Sequence, residues 1–188
     1  MQAARGTPLT SGDEVPVTAP TPPARRRWGL FAAVALAAYA VDVGSKILAV
    51  DRLTGRPDVS LVGDWFSLSL TRNPGAAFST GTGYTYVFSG LAIVAVLVVL
   101  WVSRRVGTRV WAVALGLLLA GVAGNLTDRI FRAPGPLRGH VVDFFRLPNW
   151  PVFNVADICI DVAAALIILQ AIRGIAVDGR ADRDRRAA

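Results

Sequence analysis

Asp143, in His140-Val-Val-Asp143-Phe144, and Asp157, in Phe153-Asn154-Val-Ala-Asp157, stand where apolar segments meet the edge of a membrane. A charged side chain at membrane depth costs at least ~2.5 kcal/mol, so acids kept there tend to line a polar site, and these two are the first candidates for catalysis. If they face each other across a semi-dry cleft, repulsion makes them share one proton. The ionised carboxylate then takes a proton from water while the protonated one polarises a peptide carbonyl. That is aspartic-protease chemistry, and it needs neither metal nor nucleophilic side chain. Spacing alone leaves two alternatives open. Both acids suit helix ends, Asp157 especially, because Asn154 precedes it and an acid is stabilising at a helix N-terminus. Asp161, one turn further on, offers the rival dyad Asp157 with Asp161, although like charges at this spacing destabilise a helix unless one is protonated or both find polar partners.

Other polar residues gather near the same boundary. Asp42 and Lys46 are four apart, share a helical face and can pair, either to neutralise a membrane span or to hold substrate. Ser45 beside Lys46 is a poor Ser-Lys dyad, since helix neighbours point about 100° apart. In Gly121-Val-Ala-Gly124-Asn125-Leu-Thr-Asp128-Arg129, small residues permit close helix approach before a polar knot. There Asp128 with Arg129 reads as a structural pair, because a carboxylate paired to Arg has its pKa pulled down and shuttles protons poorly. With one Cys and one His the chain offers no familiar zinc set, and Cys159 reads as a small buried hydrophobe.

The elements that must position these groups are membrane helices. The chain is 53% hydrophobic with a mean hydropathy of +0.48, above an ordinary soluble domain. Four stretches, about Trp28–Val50, Tyr84–Ser103, Val110–Thr127 and Val155–Ile172, approach the roughly 20 apolar residues a spanning helix needs. The first run is too long for a cleavable signal and reads as an uncleaved span. Twelve basic residues lie in the N-terminal tail, the 103–109 turn and the C-terminal tail, against seven in the two opposite segments. The positive-inside rule then makes both termini cytoplasmic and puts Asp143 and Asp157 near the outer face. The formal charge of +7 sits mostly beside the spans, which favours membrane phospholipid over nucleic acid as a partner. Residues 1–27 read as a disordered basic tail, 28–172 as one membrane domain and 173–188 as a second basic tail. Within about 51–83, Phe66-Ser-Leu-Ser-Leu-Thr71 alternates like a half-buried strand and Arg72-Asn73-Pro74-Gly75 like a turn, which predicts a small extracytoplasmic sheet. Ile130–Trp150, rich in Pro and Gly, is expected to be a loop. The fold expected is an all-α membrane bundle of four transmembrane helices with a small β subdomain.

Besides a protease, these residues suit a small proton- or ion-coupled carrier, with Asp42, Asp128, Asp157 and Asp161 as a relay. A relay would place acids at several depths, whereas these gather at one boundary. A noncatalytic membrane chaperone that grips signal helices is a third reading; it would survive loss of the dyad.

Taken together, Asp42-x-x-x-Lys46, Asn73-Pro-Gly-Ala-Ala-Phe78-Ser, Gly124-Asn125-x-x-Asp128-Arg129, Val141-Val-Asp143-Phe and Phe153-Asn154-x-Ala156-Asp157 resemble the lipoprotein signal peptidase (signal peptidase II) family, in the family's order. The resemblance runs from the first span to the fourth. It implies an aspartic endopeptidase of the bacterial cytoplasmic membrane that cuts diacylglyceryl-modified prolipoproteins before the lipidated Cys, with no cofactor or metal, and a monomer is expected. It implies Asp143 and Asp157 as the catalytic pair, rather than a pair with Asp161, and Asn154 as its support. Asn73, Asn125 and Arg129 match substrate-contacting or site-stabilising positions, and Asp42, Lys46 and Asp128 positions that hold the site together. Three departures stand out: a shorter segment between Asp143 and Asp157 than in many members, Ile158 where Ser is common, and Ala163 where Gly is common.

Overall fold

The computed structural model describes residues 27–75 and 85–181. The N-terminal tail through residue 26, Ala76–Ser79 of the second motif, Tyr84 and the last seven residues lie outside the described residues.

Among the described residues, four apolar runs form helices long enough to cross a membrane: α1 (Trp28–Leu53), α2 (Thr85–Ser103), α3 (Arg109–Phe131) and α4 (Val155–Ile172). Two have defined starts. Thr108 caps α3 by accepting from the Trp111 N–H at 3.2 Å, and Asn154 caps α4. The third helix is the centre of the bundle: 44% of its apolar window is buried, against 17–22% for the other three. Its sequence explains how it meets so many neighbours. A Cβ on Gly116 would lie 2.9 Å from the Phe31 carbonyl of α1, on Gly121 2.5 Å from the Ala156 carbonyl of α4, and on Gly124 2.2 Å from Asp42 Oδ2. Missing side chains let the partner backbones approach, which is how membrane helices gain packing contacts without a hydrophobic driving force. Cys159 is buried on α4, as its apolar character predicts.

Strands β1 (Val59–Val62), β2 (Phe66–Asn73) and β3 (Val141–Arg146) make one antiparallel sheet in the order β1-β2-β3. The sheet is therefore not confined to 51–83, and Ile130–Trp150 is not all loop. Helix α3 continues to Phe131, and β3 emerges from the Gly/Pro-rich stretch with its first four residues buried. Alternation is absent from Val141-Val-Asp-Phe because both faces are covered, which removes the signal that reveals a strand. Ala49 and Leu53 of α1 pack with Val142 and Phe144 and fasten the sheet to one end of the bundle.

From β3 the chain returns to α4 through a closed loop. The N–H groups of Phe144 and Phe145 both donate to the Phe153 carbonyl (3.0 and 2.8 Å), and the Phe153 N–H donates back to Phe145 (3.0 Å). At the other end of the bundle, residues 173–181 pack against the helices. Trp111 Nε1 donates to the Ile175 carbonyl (3.0 Å) and the Gly107 N–H to Val177 (2.9 Å), while Ile175 and Val177 join the core around Phe31, Val99 and Trp111.

Candidate active site

Asp143 lies in β3 and Asp157 in the first turn of α4, and the Phe145–Phe153 ladder turns the intervening chain back on itself so that both face one cleft. The cleft is about 400 Å³ and is also lined by Asn73, Arg129, Trp150, Ile158 and Asp161. Strand β2 extends two residues past the expected Thr71, so Asn73 is a strand residue. Pairing of Thr71 with Asp143 and of Asn73 with Val141 puts Asn73 and Asp143 on one face as diagonal neighbours.

Three asparagines contact the two acids. Asn73 Oδ1 accepts from the Gly75 N–H (2.9 Å) and its Nδ2 donates to Asp143 Oδ2 (3.1 Å). Asn154 Oδ1 accepts from the Asp157 N–H (3.0 Å), and its Nδ2 donates to Asp143 Oδ1 (2.6 Å) and Asn125 Oδ1 (3.2 Å). Asn125 Nδ2 donates to Asp157 Oδ1 (2.9 Å), and the Asn154 N–H donates to Asp157 Oδ2 (3.1 Å), which completes a capping box. The helix-cap role and the place in the cleft, alternatives on spacing alone, are both true of Asp157. Burial pushes the Asp143 carboxyl up to about 6; Asp157 pushes it the same way, and the donors on Asn73 and Asn154, with Lys46, oppose.

A second cluster lies behind the acids. Lys46 Nζ donates to Asn125 Oδ1 (2.9 Å) and forms ion pairs with Asp42 Oδ2 (2.9 Å) and Asp128 Oδ2 (3.1 Å), in a side chain only 1% exposed. Asp42 Oδ1 accepts from the Ala156 N–H (2.8 Å), and Asp128 Oδ2 from the Val142 N–H (3.1 Å). One buried ionic cluster thereby joins α1, α3, α4 and β3. Separating such charges from their partners is costly, typically about 3–5 kcal/mol when one member is removed.

The pairing of Asp42 with Lys46 follows from their spacing, but the expected pair of Asp128 with Arg129 does not form. Asp128 bonds Arg132 instead, one helical turn on, while Arg129 points into the cleft with its guanidinium 5.9 Å from the Phe88 ring. The i,i+4 spacing of Asp128 and Arg132 was the usable signal; adjacent helix residues diverge by about 100°. Two further arginines are also engaged: Arg138 lies 5.6 Å over the Tyr86 ring and Arg146 bonds Asp58. Asp161 lines the cleft one turn below Asp157 and makes none of the asparagine contacts that Asp143 makes. The Val142–Asp128 hydrogen bond had no sequence signal, because it depends on where β3 runs.

Residues 34–173 match the family model described as Signal peptidase (SPase) II. The chain is 46% identical to the lipoprotein signal peptidase of Mycolicibacterium smegmatis over 90% of its own length and 74% of that protein's. It is 45% identical to that of Mycobacterium tuberculosis, over 91% and 86% of the two chains, and 44% identical to that of Streptomyces griseus, over 80% and 77%. A solved bacterial membrane enzyme superposes with a TM-score of 0.70 at 23% identity, covering 80% of this chain and 97% of that one, a likeness of fold. A bundle of four helices long enough to span a membrane, carrying two carboxyls in one cleft and matched by the family model over residues 34–173, places the chain in the signal peptidase II family of membrane proteases.

Proposed function

We propose that this chain removes signal peptides from diacylglyceryl-modified prolipoproteins, cutting before the lipidated Cys, with Asp143 and Asp157 as the catalytic pair. The observation that carries the reading is the cleft itself: two carboxyls from different elements, each receiving two hydrogen-bond donors, line one pocket. In this scheme Asp157 takes a proton from water, and the resulting hydroxide adds to the scissile carbonyl. Asp143, whose carboxyl is pushed up to about 6, supplies the proton that polarises the carbonyl oxygen. Collapse of the tetrahedral adduct breaks the C–N bond, and a proton from the pair goes to the leaving amine. Asn154 supports both acids, and Asn73, Asn125 and Arg129 are placed to bind substrate or to stabilise the site.

The carrier alternative fares worse. A relay needs acids free to load and release protons, whereas Asp42 and Asp128 are tied to Lys46, and Asp128 also to Arg132. The excess of basic residues in the two tails and the 103–109 turn supports cytoplasmic termini, a site near the outer face and contact with membrane phospholipid.

The test is cleavage of a purified diacylglyceryl-prolipoprotein in detergent with a chelator present, by wild type, Asp143→Asn and Asp157→Asn. Cleavage by wild type alone, with folded variants, is the expected result. Normal cleavage by either variant sinks the assigned pair and points to Asp161; an inert wild type sinks the peptidase.

A further inference from the structure

We infer that Lys46 is a positioning residue for Asp157: its ammonium holds the Asn125 amide in the one orientation that keeps a donor on the Asp157 carboxyl. The inference rests on the peptidase reading above. An asparagine amide has a donating and an accepting end, and a half-turn exchanges them. Asn125 lies between two acidic groups, with Asp157 on one side and Asp42 and Asp128, gathered round Lys46 Nζ, on the other. Either side is able to claim its NH2 group.

What decides is that an ammonium only donates. Lys46 Nζ at 2.9 Å requires Asn125 to present Oδ1, which leaves Nδ2 to donate to Asp157 Oδ1 at 2.9 Å. Asn154, whose Oδ1 accepts from the Asp157 N–H, adds from its Nδ2 a longer bond of 3.2 Å to the same Asn125 Oδ1. Without Lys46, Asp42 loses its cation and Asp128 keeps only Arg132, so a carboxylate on that side competes with Asp157 for the Asn125 amide protons. A carboxylate stripped of a donor holds its proton more tightly. Lys46 thus acts on Asp157 through Asn125, from a buried position outside the cleft lining. Among the described residues, the charged groups sharing the cleft with Asp157 are Asp143 of β3, Arg129 of α3 and Asp161 of its own helix, with Lys46 of α1 behind Asn125.

The test variant is Lys46→Met with Asp42→Asn. It removes one charge of each sign, so Asp128 keeps Arg132 and the buried cluster stays neutral. The pH profile of kcat/KM is measured on diacylglyceryl-prolipoprotein in detergent, beside wild type and Asp143→Asn. The acid limb should move upward by about one pH unit, the scale of one donor to a charged acceptor. Lys46→Gln with Asp42→Asn, which restores a donor toward Asn125 Oδ1, should bring the limb back. A merely structural lysine would lower the folded fraction and leave the limb in place, and an unmoved limb in a folded variant overturns the inference. If the Met variant does not fold, Asn125→Leu reads the same link from its other end: the limb should move upward, and an unmoved limb overturns the inference. Failure of the peptidase reading is distinct, since it shows as an inert wild type or an active Asp143→Asn.

Discussion

Replacing Asp143 by Asn should change how stability depends on pH, in a direction and by an amount the structure sets. Asp143 is 2% exposed, and its carboxyl is raised from 3.8 to about 6, mainly by burial. Between those values the folded chain holds a proton that the unfolded chain has released. The stability contributed by this group is therefore fully present below about pH 4 and is lost as pH rises through about 6. Two pH units at about 1.4 kcal/mol each make the loss about 3 kcal/mol. Asn cannot ionise, so Asp143→Asn should lack this component. The variant also turns an NH2 group toward Asn73 or Asn154, both of which donate to the present carboxyl, but that loss does not depend on pH. The quantity to measure is the difference in Tm between wild type and Asp143→Asn, followed by circular dichroism in one detergent from pH 4 to pH 7.5. Roughly 2–4 °C per kcal/mol for a chain of this length gives a change of roughly 6–12 °C in that difference, with wild type losing ground as pH rises. A difference that stays constant across the range would refute the claim that Asp143 is buried beside a second carboxyl and holds its proton near pH 6.

The same carboxyl has a kinetic counterpart: kcat/KM on prolipoprotein should decline above about pH 6 as Asp143 loses its proton, and a rate that climbs steadily to pH 8 would count against Asp143 as the proton carrier. Gly124→Ala places a Cβ 2.2 Å from Asp42 Oδ2 inside the sealed ionic cluster, so it should destabilise by about 1–3 kcal/mol. Gly90→Ala on α2, where an added Cβ meets nothing within 4 Å, should cost no stability in the same thermal assay. Asn154→Ala removes the α4 cap and a donor to Asp143 together, so Tm should fall by the equivalent of about 1 kcal/mol or more and cleavage should fall further than the folded fraction does.

Much of this architecture was legible before any coordinates. Apolar length reveals spanning helices because the bilayer sets a minimum, and all four stretches form helices with ends close to those expected. The i,i+4 spacing exposed Asp42 with Lys46, and small residues between Gly121 and Gly124 foretold a close helix contact. What failed did so for identifiable reasons. Strand β3 reads as loop in the sequence because Pro134, Gly135, Pro136 and Gly139 precede it and its own residues are buried on both faces, leaving no alternation. Adjacency in sequence suggested Asp128 with Arg129, but helix geometry sends the second of these into the cleft and gives the first to Arg132.

The residues themselves determined the class of molecule: a four-span membrane chain, acids gathered at one boundary, and the motif order of a signal peptidase. Those properties follow from composition, length and short-range spacing, which do not depend on how distant segments meet. Only tertiary structure decided which acids meet and in what polarity. The Phe145–Phe153 ladder, the diagonal of Asn73 with Asp143 across β2 and β3, and the orientation of Asn125 between Lys46 and Asp157 all join segments remote in sequence. Hydrogen bonds act over about 3 Å, so their partners become defined only once the chain has brought those segments together.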